Sequence, residues 1–356
     1  MPTITCLICP NGCGLSVKKE ESIFLVKGNR CPRGVDYAKN HLKKAGLEGA
    51  FQSSVPLLHY PPSKLAGILE NWDLSLTSVD GGSFIQGSPE RSLFRTGIFC
   101  GKRRLILEQI ESNRTIRREK TAERLKRMAR NGLPVSPFLP GNDGKAIQNV
   151  DGNFWMLTPF IEGRPLNRLT YWQDTWRGKA VGEFLNMLYS QESPDPDEPA
   201  FDLPSFICDL VIKIQRSQPE LYESLKPILA RLQERFFPVY DQIPLVFSHG
   251  DAHPLNIIWG EFEIKAVIDW EFSGSKSLLY DSALIMGCVG SEDPEAFSGP
   301  FNTAFYKTVA PLLYEPWGSL LPDFILALRF AWLNEWLRHE DGEMLAQETQ
   351  YMEMLL

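Results

Sequence analysis

The pattern of apolar and polar positions predicts a β-rich region followed by a helical one. Between residues 76 and 110 apolar and polar residues alternate, which predicts three antiparallel strands. Polar turns separate or follow these strands at 81–83, 86–91 and 100–103. Further strands and the apolar segment WMLTPFI (155–161) come next. Near the start of the chain, two β-prone runs around a polar centre predict a hairpin at 15–29.

Helical spacing of apolar residues predicts most of the remaining elements. A basic helix is expected to end at Gly132, with Ile116, Leu125 and Met128 near one side. A second helix should bury Phe184, Leu185 and Leu188 in the core. Further helices are expected at 35–46, 203–217, 219–237 and 295–313, and from about 321 onwards.

One central stretch, residues 247–271, combines apolar strands with a dense group of polar side chains. The turn HGDAHPLN (249–256) contains His249, Asp251, His253 and Asn256, and Asp269 closes the strand in VIDWE (267–271). A carboxylate, an amide five residues later and a second carboxylate suit Mg2+-dependent phosphoryl transfer, which needs oxygen ligands and a proton acceptor. The alternative is an ordinary solvated turn, which five such residues at this spacing disfavour.

These two motifs resemble those of the aminoglycoside phosphotransferase and choline kinase family, a branch of the protein-kinase-like fold. HGDAHPLN and VIDWE are similar to its HGDxHxxN and IDxE patterns, and the resemblance covers about residues 65–340. It implies an α+β, bilobal protein-kinase-like fold with a small antiparallel β lobe plus a helix and a large, mainly helical lobe. We therefore expect the N-lobe at 76–162 and the C-lobe with its catalytic loop at 163–356.

The chemistry of the motifs assigns a role to each polar residue. Asp251 is expected to accept or orient the proton of the substrate hydroxyl. Asn256 and Asp269 are expected to bind Mg2+ through their oxygen atoms. His249 and His253 belong to the catalytic motif. We expect both to hold the loop by hydrogen bonds, since Mg2+ prefers oxygen to imidazole.

The resemblance also implies where ATP would bind. The WMLTPFI segment would be the hinge, whose backbone near Thr158 and Phe160 would meet adenine. A glycine-containing loop between the first strands could lay backbone N–H groups over the phosphates, and Gly87 and Ser88 are best placed for this. This loop is weak evidence by itself, because such turns are common in β-sheets.

One strand position departs from the family. The family usually carries a lysine on its third strand, which pairs with a helix glutamate and holds the α- and β-phosphates. Here the strand reads RLILEQI, with Glu108 at the lysine position. Our hypothesis is a reversed ion pair, in which Glu108 holds a cation of the following helix, such as Arg117, Lys120 or Arg124. That helix cation, or Lys102, would then face the phosphates. The alternatives are an alignment slip or a surface glutamate with no special role.

Four cysteines near the start of the chain predict a metal site. Cys6, Cys9, Cys13 and Cys31 have the spacing C-x2-C-x3-C-x17-C, and four thiolates suit either Zn2+ or an iron–sulfur cluster. The stretch resembles a small bacterial and archaeal four-cysteine domain of unknown function. It is also similar to the segment that binds a 4Fe-4S cluster at the start of molybdopterin oxidoreductases. We expect a metal-binding module at 1–46, either a folding staple, a docking module for a protein partner or a sensor, and a linker at 47–75.

Composition and charge narrow the cellular setting. No apolar run reaches the roughly 18 residues that a membrane span needs, and the start of the chain lacks the pattern of a signal peptide, so we expect a cytoplasmic protein with no membrane contact. From residue 150 onwards the chain contains 14 basic and 31 acidic residues. This charge argues against a nucleic-acid partner and would attract a cationic acceptor, although solvated helix faces explain it equally well.

The sequence therefore favours an ATP- and Mg2+-dependent kinase that phosphorylates a hydroxyl group of a small molecule. A nucleotide-binding regulatory protein or pseudokinase with little catalysis is the alternative, because Glu108 replaces the phosphate-binding lysine. Phosphorylation of a protein side chain is a third possibility, which the lack of an evident activation segment after Asp269 disfavours.

Overall fold

The computed structural model describes residues 3–5, 14–20, 23–27, 32–44, 49–53, 60–80, 92–339 and 341–356. The chain divides into two compact units. The first contains the described residues up to Glu123 together with Pro137–Phe160 and a short stretch at 338–340. The second contains Arg124–Ser136, Ile161–Leu337 and Asp341–Leu356.

The first unit begins with a four-stranded sheet. Its strands are β1 (Thr3–Thr5), β2 (Gly14–Glu20), β3 (Ile23–Lys27) and β4 (Ala50–Ser53), in the order β1-β2-β3-β4, and helix α1 spans Pro32–Lys44. Strands β2 and β3 pair antiparallel, which confirms the predicted hairpin. Alternate residues of these strands form the core because side chains in a strand point to opposite faces in turn; the core members are Leu15, Val17, Phe24 and Val26. Strand β4, within the predicted linker, pairs parallel to β3.

A second, five-stranded sheet follows in the same unit. Its strands are β5 (Ser78–Val79), β6 (Phe94–Cys100), β7 (Arg103–Ile110), β8 (Ile147–Val150) and β9 (Asn153–Pro159), in the order β5-β6-β7-β9-β8. All neighbouring strands are antiparallel. The predicted turn at 100–103 joins β6 to β7. The predicted turns at 81–83 and 86–91 lie outside the described residues, and Gly87 and Ser88 lie there with them.

The two faces of this sheet differ in burial. Helix α2 (Pro62–Leu69), which the sequence pattern did not predict, packs on one face. The sheet residues on that face are buried, among them Ile98, Leu105, Leu107, Trp155 and Leu157. On the other face Phe99, Arg104, Ile106 and Thr158 are half-buried, whereas Gly97, Glu108, Ile110 and Met156 are buried. The sheet therefore has one core face and one more open face.

Helix α3 (Thr115–Arg130) corrects one expectation. Leu125 and Met128 are buried, but the side chain of Ile116 is 76% exposed. An α-helix turns about 100° per residue, so Ile116 and Leu125, nine positions apart, lie on opposite sides of it. The prediction that Ile116 shares a side with Leu125 and Met128 was therefore wrong.

The second unit is mainly helical. Its helices are α4 (Thr175–Gln191), α5 (Leu203–Ser217), α6 (Pro219–Arg235), α7 (Tyr280–Gly290), α8 (Pro300–Val309), α9 (Leu321–His339) and α10 (Gly342–Leu355). Strands β10 (Leu245–Ser248) and β13 (Gly274–Ser277) form one antiparallel pair, and β11 (Ile257–Trp259) and β12 (Ile264–Val267) form another. The predicted helices at 203–217 and 219–237 are confirmed, and Phe184, Leu185 and Leu188 are buried as predicted. Among the helices that the structure describes, none is both long and apolar enough to cross a membrane.

Candidate active site

The polar turn of the central stretch follows β10 and is fixed by a buried carboxylate. Asp281, at the start of α7, has no exposed surface. Its two oxygens accept hydrogen bonds from the backbone N–H groups of His249 and Gly250, each at 2.9 Å. The hydroxyl of Tyr189 donates to the same carboxylate at 3.3 Å. Burial, with the negative charge of Asp281, raises the pKa of Tyr189 well above its usual value, so this hydroxyl keeps its proton.

His249 braces the turn from inside. Its Nε2 lies 3.0 Å from the carbonyl oxygen of Ile268, and its Nδ1 accepts the backbone N–H of Asp251 at 3.1 Å. The first contact needs a proton on Nε2 and the second needs none on Nδ1, so the ring is the neutral Nε2–H tautomer. Complete burial lowers the pKa of His249, despite the opposing effect of Asp281. The imidazole is therefore placed to orient Asp251 and has no exposed surface.

Asp251 and Asn256 are joined directly. The Asn256 amide nitrogen donates to the Asp251 carbonyl at 2.9 Å and to its carboxylate oxygen Oδ2 at 3.0 Å. Because the amide nitrogen faces Asp251, the amide oxygen is the atom with which Asn256 can bind a cation. His253 Nε2 lies 3.6 Å from Asp251 Oδ1, which is beyond hydrogen-bond length. The structure thus brings together the proposed proton acceptor and one proposed metal ligand.

Asp269 lies beside this turn with an unusual backbone. Its neighbour Ile268 donates its N–H to the carbonyl of Asn256 at 2.9 Å and accepts from His249. Asp269 itself has φ 65° and ψ 60°, in the left-handed region. Such a conformation costs a non-glycine residue about 1–3 kcal/mol and clusters at functional sites. The second motif is therefore tied to the first through Ile268, and its carboxylate sits on a strained turn.

Gly250 allows the turn that carries Asp251 to lie close to the backbone of Phe272. Gly250 has φ 81°, and a Cβ atom there would come within 2.3 Å of the carbonyl oxygen of Phe272. That carbonyl also accepts a hydrogen bond from Lys276 Nζ at 2.5 Å. Lys276 is buried, and its ammonium group also lies 5.3 Å from the ring centre of Tyr280. The segment after Asp269 is therefore packed against the backbone of the turn that carries Asp251.

The donor set fits a hard divalent cation. Asp269 offers a carboxylate and Asn256 an amide oxygen, which are ligand types that Mg2+ accepts, with water or phosphate oxygens completing its shell. Within the part of the chain that the structure describes, no group of three or more His, Cys, Asp or Glu side chains could hold a metal ion. The four cysteines Cys6, Cys9, Cys13 and Cys31 lie outside the described residues.

Glu108 on β7 has a well-defined set of neighbours in the first unit. The Ser92 hydroxyl donates to its Oε1 at 2.6 Å. Arg95 Nε on β6 lies 3.7 Å from Oε2, and Arg118 Nη2 on α3 lies 3.9 Å from Oε1. The helix cation at Glu108 is thus Arg118, which the sequence reading did not name. Arg118 is one residue after the named candidate Arg117 and two residues before Lys120.

Two of the residues named as cations or hinge groups, Arg124 and Phe160, have other contacts, and a third, Lys102, is exposed. Arg124 Nη1 lies 3.2 Å from Glu192 Oε2, and its guanidinium lies 4.2 Å from the ring centre of Phe247, all within the second unit. Lys102 is exposed in the turn between β6 and β7. The N–H of Phe160 donates to the Arg104 carbonyl at 3.0 Å, and the Arg104 guanidinium lies 3.6 Å from its ring centre.

Two further predicted residues, Thr158 and Lys120, lie in the first unit. Thr158 is on β9, opposite Ile106 of β7, on the more open face of the sheet. Lys120 is on α3, two positions after Arg118.

Replacing Asp281 by alanine should destabilise the second unit and the turn it holds. Two buried backbone N–H groups would lose their acceptor, and each such loss costs about 1–3 kcal/mol. We expect the free energy of unfolding to fall by about 3 kcal/mol, and Asp281→Asn to lose less because it retains one acceptor oxygen. Chemical unfolding followed by tryptophan fluorescence measures this. Asp209→Ala, at an exposed position on α5, is the control; equal stability of both alanine variants would contradict the prediction.

The buried imidazole of His249 predicts a pH dependence of stability. Its folded-state pKa lies below the value of about 6.5 in the unfolded chain. The stabilisation is therefore complete above pH 6.5 and is lost as the pH falls towards the lower folded-state pKa, by at most about 1.4 kcal/mol per pH unit. We expect the unfolding free energy of His249→Gln to depend less on pH between 7 and 5.5. Identical slopes for this variant and the wild type would contradict the assignment.

Comparisons with known proteins show which family the chain is similar to. Residues 98–314 match the sequence model of the phosphotransferase enzyme family. A search among curated proteins found no match to the chain. Among solved structures, the amicoumacin kinase hAmiN in complex with AMP-PNP and Ca2+ is similar, with a TM-score of 0.61, 15% identity, and coverage of 83% of this chain and 93% of that one.

Two other similar structures have different acceptors in their names. The AMP-bound spectinomycin phosphotransferase has a TM-score of 0.58 and 14% identity, covering 84% of this chain and 96% of its own. A microcompartment-associated aminopropanol kinase has a TM-score of 0.53 and 15% identity, covering 82% of this chain and 94% of its own.

These similarities confirm the predicted kinase-like fold with a β-sheet part and a helical part. Because the family match spans more than half of the chain, the protein belongs to the phosphotransferase enzyme family and is a kinase that acts on hydroxyl groups of small molecules.

Proposed function

We propose that the protein transfers the γ-phosphate of ATP to a hydroxyl group of a small, cationic acceptor, with Mg2+ as cofactor. The observation that carries this proposal is the hydrogen bond from the Asn256 amide to the Asp251 carboxylate, beside the strained turn of Asp269. It unites a proton acceptor and two oxygen ligands in one small region. The adenine nucleotides in the structures of amicoumacin kinase and spectinomycin phosphotransferase support ATP as donor.

Asp251 is the group that receives the proton of the acceptor hydroxyl. Its Oδ2 is held by Asn256 and its backbone N–H by His249, so the carboxylate is oriented before any substrate binds. Preorganisation of this kind removes the entropy cost of aligning the reacting groups. His249 stays neutral and buried and takes no proton from the acceptor, whereas His253, half-buried near Asp251, contributes to the shape of the loop.

Asp269 and Asn256 would hold the divalent cation, which would neutralise phosphate charge and so lower the barrier to transfer. Asp269 supplies the negative charge and Asn256 a neutral oxygen, so the pair binds the cation without a large excess of negative charge. The backbone of Asp269 is in the left-handed conformation. The preceding residue, Ile268, donates a hydrogen bond to the Asn256 carbonyl, which connects the Asp269 segment to the turn that carries Asp251.

The acceptor class follows from charge and from the names of the related enzymes. The region after residue 150 is strongly acidic, and acidic surfaces attract cationic ligands. The similar structures are named after amicoumacin, spectinomycin and aminopropanol, and the last of these is an amino alcohol. An aminoglycoside-like or choline-like alcohol is the acceptor class that we propose.

An acceptor screen tests the proposed function. Purified protein is incubated with Mg·ATP and a panel of amino alcohols, aminoglycosides, neutral sugars and short hydroxyl-bearing peptides, and ADP release is measured. The variant Asp251→Asn is the blank for each acceptor. We expect release above the blank with at least one cationic alcohol. ATP binding without release for any acceptor would favour the regulatory alternative that Glu108 suggests, and release only with peptides would favour a protein kinase.

The N-terminal cysteines carry a separate proposal. Cys6, Cys9, Cys13 and Cys31 bind one Zn2+ ion or one 4Fe-4S cluster, which acts as a folding staple for the preceding and following strands or as part of a docking module for a protein partner. Their spacing supports this, since four thiolates complete a closed tetrahedral site. Metal analysis and the visible absorption spectrum of anaerobically purified protein distinguish zinc from a cluster. Protein that contains neither refutes the proposal.

A further inference from the structure

Three charged side chains meet on the more open face of the five-stranded sheet. Glu108 accepts a hydrogen bond from Ser92 and lies within ion-pair distance of Arg95 and Arg118. The side chain of Glu108 is 11% exposed and that of Arg95 is 28% exposed. One carboxylate thus stands between two guanidinium groups, one from the neighbouring strand and one from α3.

The strand register places Arg95 directly opposite Glu108. The pairing of β6 with β7 is Arg95↔Glu108, followed by Gly97↔Ile106 and Phe99↔Arg104. Side chains of directly opposed residues lie on the same face with Cβ atoms about 5 Å apart. Arginine is longer than lysine, so the Arg95 guanidinium can reach the space that a lysine amine at residue 108 would occupy. The cation that the family places on β7 therefore has a counterpart on β6.

Part of this face is accessible to solvent, in contrast to the opposite face. On the opposite face, the alternating residues Leu105 and Leu107 are buried under α2. On the face of Arg95, the apolar side chain of Ile106 is only half-buried, and its strand neighbours are Gly97, which has no side chain, and Thr158. Gly97 is itself buried, so this part of the face is only partly accessible. The ion pair of Arg95 and Glu108 lies on the same face, two residues along the strands from Gly97 and Ile106.

We propose that Arg95 binds the nucleotide phosphates in place of the missing strand lysine, and that Glu108 and Arg118 position it. This inference rests on the proposed function, because it assumes that ATP is the phosphate donor. Glu108 lies within 4 Å of both guanidinium groups and so restricts the direction of the Arg95 side chain. Arginine suits this task because its planar fork can donate two parallel hydrogen bonds to phosphate oxygens.

Nucleotide titrations test the role of Arg95. We expect Arg95→Met to weaken Mg·ATP binding about ten- to hundredfold, which is the effect of losing a hydrogen bond between charged groups. Binding of adenosine, which has no phosphate, should change less than about threefold. Arg95→Lys should lie between the wild type and the methionine variant, because it retains the charge and loses the bidentate contact. Arg103→Met, at an exposed arginine on β7, is the matched control and should bind Mg·ATP normally.

A charge exchange tests whether Glu108 creates the need for Arg95. The double variant Glu108→Lys with Arg118→Glu restores the usual order of lysine on the strand and acid on the helix. We expect it to bind Mg·ATP within about tenfold of the wild type, whereas Glu108→Lys alone gathers three cations and binds far more weakly or unfolds. In the double-variant background, adding Arg95→Met should cost less than about threefold, because the lysine now holds the phosphates.

The outcomes separate this inference from the proposed function. If the wild-type protein does not bind Mg·ATP, the proposed function fails and the inference fails with it. If the wild type binds Mg·ATP and a folded Arg95→Met variant binds it equally well, only the role of Arg95 is overturned. An equal loss of affinity for ATP and adenosine also overturns it, because that result indicates general damage to the sheet. Thermal unfolding of each variant establishes that it is folded.

Discussion

Replacing Asp251 by asparagine lowers kcat for phosphoryl transfer by about a thousandfold, because the acceptor hydroxyl loses its proton acceptor. Asparagine has nearly the same shape and can still contact Asn256, so the turn should keep its structure. Mg·ATP affinity should change less than about threefold, since Asp251 is assigned to the acceptor and not to the nucleotide. Steady-state assays with the best acceptor of the screen, together with calorimetric ATP titration, measure both quantities.

The control for this prediction is Asp209→Asn, which removes one carboxylate at an exposed position on α5. It should retain wild-type kcat, which shows that the overall negative charge of the chain is not the cause. A folded Asp251→Asn enzyme with kcat within about tenfold of the wild type would contradict the assignment of Asp251. In that case the hydroxyl proton must leave by another route, such as the γ-phosphate itself.

Replacing Asp269 by asparagine abolishes the gain in ATP affinity that Mg2+ provides and lowers kcat by about a thousandfold or more. Asparagine tolerates the left-handed conformation with φ 65° as aspartate does, so this change removes the charge and keeps the backbone. Alanine would add strain at the same position and confuse the two effects. Titration of ATP with and without Mg2+ measures the coupling, and turnover over a range of Mg2+ concentrations measures its consequence.

The chain provides a matched control for Asp269. Asp151, in the exposed turn between β8 and β9, has φ 53°, and Asp151→Asn also removes a carboxylate from a left-handed turn. It should leave Mg2+ coupling and kcat unchanged. An Asp269→Asn protein that still binds ATP more tightly with Mg2+ than without it would rule out Asp269 as a metal ligand.

Local patterns predicted those elements whose signal lies within a few neighbouring residues. The hairpin of β2 and β3 follows from two β-prone runs around a polar turn, and α5 and α6 follow from helical spacing and from the prolines near their starts. The catalytic turn could also be predicted from the sequence, because its polar residues are close together along the chain. Helix α2 was missed because its prolines were read as a linker, although proline at the first position of a helix is favourable.

Contacts between distant residues were harder to predict, but one of them was accessible. The turn predicted at 100–103 fixes the register of β6 and β7, since Cys100 pairs with Arg103 and each step back from the turn adds one residue on either side. Counting back in this way places Arg95 opposite Glu108. The contact of Arg118 could not be predicted, because the rotation of α3 about its axis relative to the sheet depends on tertiary packing.

The glutamate at residue 108 also has a consequence for chemical labelling. A nucleotide analogue with an activated acyl group would acylate a lysine amine that lies beside its phosphates. At this position the chain offers a carboxylate, and the nearby guanidinium groups of Arg95 and Arg118 are too weakly nucleophilic to replace the amine. If ATP binds beside Glu108, as we propose, such a reagent would leave residue 108 unmodified, and a lack of labelling there would not be evidence against nucleotide binding.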